Sequence, residues 1–154
     1  GINIVCQRLA KAIARDGEGA NCLIEVKVDG AKNDFDALKI ARKISSSSLV
    51  KTAIHGCDPN WGRIISAAGS SGVDFKLSDV DLFIGKYQIL NGGHLIQFDK
   101  EEISCYIRSK MKGKYLVSDT VEIIINLNSG KGIGRSWGCD LSKRYVEINS
   151  EYTT

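Results

Sequence analysis

Apolar residues recur along this chain in two rhythms, and the rhythm changes wherever glycine or proline intervenes. Residues 2–14 place Ile2, Val5, Cys6, Leu9, Ala10, Ile13 and Ala14 three and four apart, the spacing of one helix face. Asp16-Gly17-Glu18-Gly19 ends that helix, with Gly17 suited to the left-handed position beyond it. Cys22, Ile24, Val26 and Val28 then alternate with Leu23, Glu25 and Lys27, which predicts a strand closed by Asp29-Gly30. A second helix is predicted over 34–46, with Phe35, Leu38, Ala41 and Ile44 on one face and Asn33 or Asp34 as its cap. Leu49 to Ile54 reads as a short buried strand by composition. The punctuation from Gly56 to Gly62, with the chain's single proline at Pro59, leads into a helix over 62–69.

Residues 70–78 carry no apolar period and mark a boundary near 75. Beyond it the pattern predicts strands at 80–84 and 86–90, a Gly92-Gly93 turn, and a helix over 100–112 with Ile103, Ile107 and Met111 inward. A long strand over 114–127, a glycine-rich bend over 129–138 and a final strand over 144–149 complete the reading. Helices and strands interleave throughout, so the fold class is α/β (α+β).

Composition narrows the function classes. The 154 residues suit one ordinary domain; 43% hydrophobic and 25% charged content exclude a disordered tail or a fibrous repeat. Twenty-one Lys and Arg against 18 Asp and Glu give a net charge of +3, too mild to imply nucleic acid or an anionic membrane. No apolar run approaches the roughly 20 residues of a membrane span. Five cysteines, an odd number without a CxxC spacing, argue against a disulfide framework or a metal site and for a reducing cytoplasmic home.

Three segments hold candidate chemistry. In Asp16-Gly17-Glu18-Gly19-Ala20 the glycines let the backbone curl so that Glu18 projects a carboxylate at a cationic ligand; a solvated, capped turn fits the same residues. In KTAIHGCDPNWGRIISAAG (51–69) His55 with Asp58 suggests a general base, Trp61 a core plug and Arg63 a fork onto a carboxylate, while a structural helix entry fits as well. Gly130-Lys131-Gly132-Ile133-Gly134 lacks the phosphate-loop spacing and reads as a hairpin bend. No Ser-His-Asp set, nucleophile elbow or HExxH motif is present. Pattern and spacing alone leave the function open.

RDGEGA at 15–20, LVKTAIHGCDPNWGRIISAAG at 49–69 and GCDLSKRYVEINSEYTT at 138–154 together resemble the C-terminal part of the β chain of the ornithine acetyltransferase (glutamate N-acetyltransferase) family. The resemblance runs the length of the chain in the family's order. It implies a self-cleaving, N-terminal-nucleophile-like layered sheet and helix sandwich. Residues 1–75 would belong to its catalytic core and 76–154 to a smaller C-terminal α/β unit ending in a substrate-binding tail. It also implies acetyl transfer from N2-acetyl-L-ornithine to L-glutamate through an acetyl-threonine. None of this chain's threonines sits in the family's cleavage context, so no catalytic residue is carried over and this chain alone is expected to be inactive. What carries over is substrate binding: Glu18 onto the glutamate that meets the substrate's amino groups, and Asn149 and Thr154 onto the terminal pair that closes the pocket. The partners implied are the α chain and the N-terminal part of the β chain, in a higher oligomer of αβ units. No cofactor is implied, with acetyl-CoA a co-substrate in bifunctional members.

Overall fold

Strand β1 (Leu23–Ala31) is buried along nearly its whole length, which reflects cover on both faces. A computed structural model describes residues 2–151. Its other elements are α1 (Ile2–Arg15), α2 (Asp34–Ser45), α3 (Ser48–His55), α4 (Trp61–Gly69), β2 (Asp81–Ile84), β3 (Tyr87–Asn91), β4 (His94–Leu95), α5 (Lys100–Met111), β5 (Thr120–Asn126), β6 (Gly132–Cys139) and α6 (Lys143–Ser150). The strands form one mixed sheet in the order β4-β3-β2-β5-β1-β6. β1 runs parallel to β5 and antiparallel to β6, so strands from both sides of residue 75 pair directly.

Register decides which side chains share a face. Ile24, Val26 and Val28 lie beside Val121, Ile123 and Ile125, and all six join the core built with Ile40, Ile44, Ile64, Ile103 and Ile107 from the helices. Across this face β6 offers almost no side chain. A Cβ at Gly132, Gly134 or Gly138 would run into the backbone of Asn33, of Ala37 and Leu38, or of Ser45. The glycines therefore let α2 lie directly on the strand. The segment read as a hairpin bend is an edge strand whose glycines are a helix seat.

Three further expectations are corrected. Leu49 to Ile54 is helical: Ser47 accepts from the Val50 amide at 3.4 Å, and the buried residues Val50, Ala53 and Ile54 sit three and four apart. The long strand over 114–127 starts only at Thr120, because Val117 and Ser118 both turn back onto the Lys114 carbonyl at 2.9 Å and Leu116 takes a left-handed φ of 52°. Residues 144–149 form a helix rather than a strand, with Ile148 half-buried and Val146 exposed.

The opposite face of the sheet carries α1, oriented against the usual rule. An amphipathic surface helix turns its apolar stripe to the core. Here the polar side faces inward. Lys11 meets buried Glu25 at 3.4 Å and lies 5.8 Å from the Trp137 ring, while Arg15 meets buried Asp119 at 2.6 Å. Ile2, Val5, Leu9 and Ile13 are left 58–82% exposed.

Candidate functional site

The loop after α1 is held from both ends by ionised side chains. The Arg15 guanidinium donates to the carbonyls of Ala20 at 3.0 Å and Asn21 at 2.9 Å while its Nε engages Asp119. Asp140, just past β6, accepts from the Asn21 and Cys22 amides at 2.7 and 2.9 Å, from Asn21 Nδ2 at 3.0 Å and from His55 Nδ1 at 2.9 Å. Burial pushes the Asp140 carboxyl up, but these donors outweigh it and hold the group below the usual carboxylate value. An ionised Asp140 favours a proton on His55 Nδ1 and so orients the imidazole ring. The carboxylate beside His55 is thus Asp140 rather than Asp58, which binds Asn60 and Lys100 instead.

Within the loop it is Gly19, not Gly17, that takes the left-handed conformation, with φ +71°. Both glycines press against neighbours. A Cβ on Gly17 would lie 2.5 Å from Cys139 Sγ, and one on Gly19 2.8 Å from Ser142 Oγ, which itself donates to the Gly19 carbonyl. Glu18 is thereby turned outward, toward α6. There Asn149 Nδ2 donates to Glu18 Oε2 at 2.7 Å and to the Tyr145 carbonyl at 2.8 Å. The helical form of α6 makes this geometry, because Asn149 sits one turn after Tyr145. Both amide protons point into the protein. Among the described residues, Glu18 Oε1 and Asn149 Oδ1 then remain as acceptors without a protein donor. Thr154 lies outside the described residues.

Two cavities flank the loop. One of about 550 Å³ is lined by Asp16, Asn21, His55, Ser142, Arg144 and Ile148. The other, about 220 Å³, is lined by Glu18, Lys51, Cys139 and Tyr145 among others. Lys51 and Glu18 thus place opposite charges on one small cavity. Arg63 forks onto the Leu49 carbonyl at 3.0 Å and Thr52 Oγ1 at 3.3 Å, not onto a carboxylate. Among the described residues no three His, Cys, Asp or Glu side chains gather as a metal site.

The fold and this loop have close relatives. A model of the ArgJ family matches residues 1–154. The chain belongs to the ArgJ family. It is 66% identical over 154 residues to the arginine biosynthesis bifunctional protein ArgJ of Prochlorococcus marinus subsp. pastoris, covering all of this chain and 38% of that protein. It is 52% identical to the protein of the same name in Dehalococcoides mccartyi, covering 99% of this chain and 36% of the relative. The crystal structure of ArgJ from Bacillus halodurans superposes with a TM-score of 0.90 at 46% identity, covering 98% of this chain and 67% of that one. The chain therefore spans well under half the length of the Prochlorococcus and Dehalococcoides relatives.

Against this ArgJ background, Glu18 and Asn149 had been named from motif resemblance and are brought into contact across 131 positions. Asp140, Asn21 and Lys51 had not been named. Asp140 lies in the GCDL block and Lys51 in the KTAIHG block, so motif membership was the available signal. A partner 118 positions away leaves no local pattern.

Proposed function

We propose that this chain is part of an acyltransferase that moves the acetyl group of N2-acetyl-L-ornithine to L-glutamate, serving arginine biosynthesis in the cytoplasm. A threonine hydroxyl supplied by the rest of the family's length attacks the acetyl carbonyl. The carbon–nitrogen bond breaks, and ornithine leaves as its amine takes up the proton. The glutamate amine then attacks the acetyl-threonine ester and frees the hydroxyl. Splitting the transfer this way replaces one difficult step by two easier ones. The remainder of the protein would complete both the layered sandwich and the donors to the oxyanion.

The observation that carries this reading is the Glu18–Asn149 contact at 2.7 Å with its two unspent acceptors. An ammonium needs acceptors, and N2-acetylornithine keeps one on its side chain. Asn149 orients the Glu18 carboxylate, and the carboxylate supplies the countercharge. Lys51, lining the same cavity, is suited to a substrate carboxylate.

In the assembled enzyme Glu18→Gln keeps the shape and removes the charge. Losing a charge-assisted contact of about 1.5–3 kcal/mol lowers kcat/KM roughly 10- to 150-fold. Unchanged kinetics would return Glu18 to a capped turn. Deleting Thr153 and Thr154 is expected to raise the KM for N2-acetylornithine without moving Tm; an unaltered KM removes the tail from the site. Acetylglutamate as product supports the transferase, whereas free acetate alone would mark hydrolysis in place of transfer.

A further inference from the structure

The inverted helix α1 has a polar side already committed inside the chain and an apolar side that nothing in the chain covers. Lys11 and Arg15 are held by buried Glu25 and Asp119, so the helix cannot roll its apolar stripe inward without breaking both ion pairs and stranding two buried carboxylates. Ile2, Val5, Leu9 and Ile13 recur three and four apart along the outer side, and no α1 residue is buried. Beside the stripe, Ile4, Gln7 and Arg8 form a groove of about 370 Å³ with Tyr115, Leu116 and Val117, and Val117 is itself 73% exposed. A run of large aliphatic side chains beside a groove of mixed character differs from the scattered single exposures normal on a soluble surface.

We infer that this face is the seat of the polypeptide making up the remaining length of the ArgJ protein. The inference rests on the reading of the chain as part of a larger acetyltransferase. Length favours that occupant: the chain covers 38% of the Prochlorococcus relative and 67% of the superposing Bacillus chain, so in those relatives protein of considerable size lies outside the matched region. Chemistry sets its character. The seat calls for an aliphatic segment facing Val5, Leu9 and Ile13, with an acidic group near Arg8, which makes no ion pair among the described residues. α1 thereby acts as a clasp whose polar side grips the sheet around Glu25 and Trp137 while its apolar side grips the rest of the enzyme.

The test is photo-crosslinking in the assembly obtained by co-producing this chain with the polypeptide that supplies the remaining family length. A benzophenone side chain placed at Leu9 or Ile13 should give adducts that mass spectrometry maps to that polypeptide. Leu9→Asp with Ile13→Asp should cut its co-purification at least tenfold. Phe35→Asp, on α2 and equally exposed, should leave it intact. Adducts confined to a second copy of this chain or to lipid overturn the inference, as does an assembly that forms without adducts or does not form. Acetyl transfer by the assembly separates the two claims. Transfer without adducts overturns this seat and leaves the transferase reading standing, whereas adducts without transfer do the reverse.

Discussion

Asp140 is fully buried, with a side chain showing no exposure, yet remains ionised because two amides, a side-chain amide and an imidazole converge on it. Asp140→Ala would leave those donors without an acceptor, at a cost of about 3 kcal/mol or more. The pH dependence follows from the direction of its shift. A carboxyl held below its ordinary value of 3.8 stabilises the fold above that value and loses the contribution as pH falls through its lower native value. Thermal melts of the assembled enzyme should therefore show a wide Tm gap between native protein and Asp140→Ala at neutral pH, narrowing below about pH 4. A gap of constant width would mean that the hydrogen bonds matter only through shape. His55 depends on this carboxylate for its tautomer, so the same substitution frees the imidazole on the wall of the larger cavity.

Among the elements, β6 shows most directly how a sequence pattern can mislead. Its glycines serve close approach and not turning, because α2 lies where side chains would stand. Gly134→Ala should destabilise by about 1–3 kcal/mol through overpacking against Ala37 and Leu38, while Ile133→Ala, 61% exposed on the other face, should stay within about 0.5 kcal/mol. Equal effects in chemical denaturation would refute the seat. Elements with a clean period and a cap were legible in their position: α2 begins after Asn33, which accepts from the Asp36 amide, and β5 alternates as the apolar pattern requires, although Phe35, expected on the apolar face of α2, is 74% exposed. Short elements were not. Leu49 to Ile54 holds too few positions to separate a helix from a buried strand, and Ser47 decides it by capping. Val146 and Ile148 suggest a strand in α6, yet one is exposed and the other faces a cavity. The site followed the same division. Glu18 and Asn149 came from long motifs, while the Asp140 network, which joins residues far apart in sequence, could be found only in three dimensions.

At the scale of the molecule, what matters is whether these residues contain a reacting group at all. Covalent acyl transfer needs a nucleophile with a base or a lowered pKa beside it. Ser142 and the three thiols at Cys22, Cys57 and Cys139 do not meet that condition. Ser142, on the wall of the larger cavity, spends its proton on the Gly19 carbonyl. Burial pushes the Cys22, Cys57 and Cys139 thiols up, away from the reactive thiolate. His55 is oriented by Asp140, but the polar groups described around its Nδ1 are only Asp140 and Asn21, neither of them a nucleophile. Among the described residues, Glu18 and Lys51 thus place opposite charges on one cavity, and neither Ser142 nor these three thiols is poised to carry an acetyl group. Incubated alone with N2-acetylornithine and labelled glutamate, it should give no acetylglutamate above the uncatalysed background. Supplying the polypeptide that completes the family's length should restore transfer, and Glu18→Gln should weaken the restored activity. Turnover by the 154 residues alone would overturn the division of labour, because it would require a nucleophile within this chain.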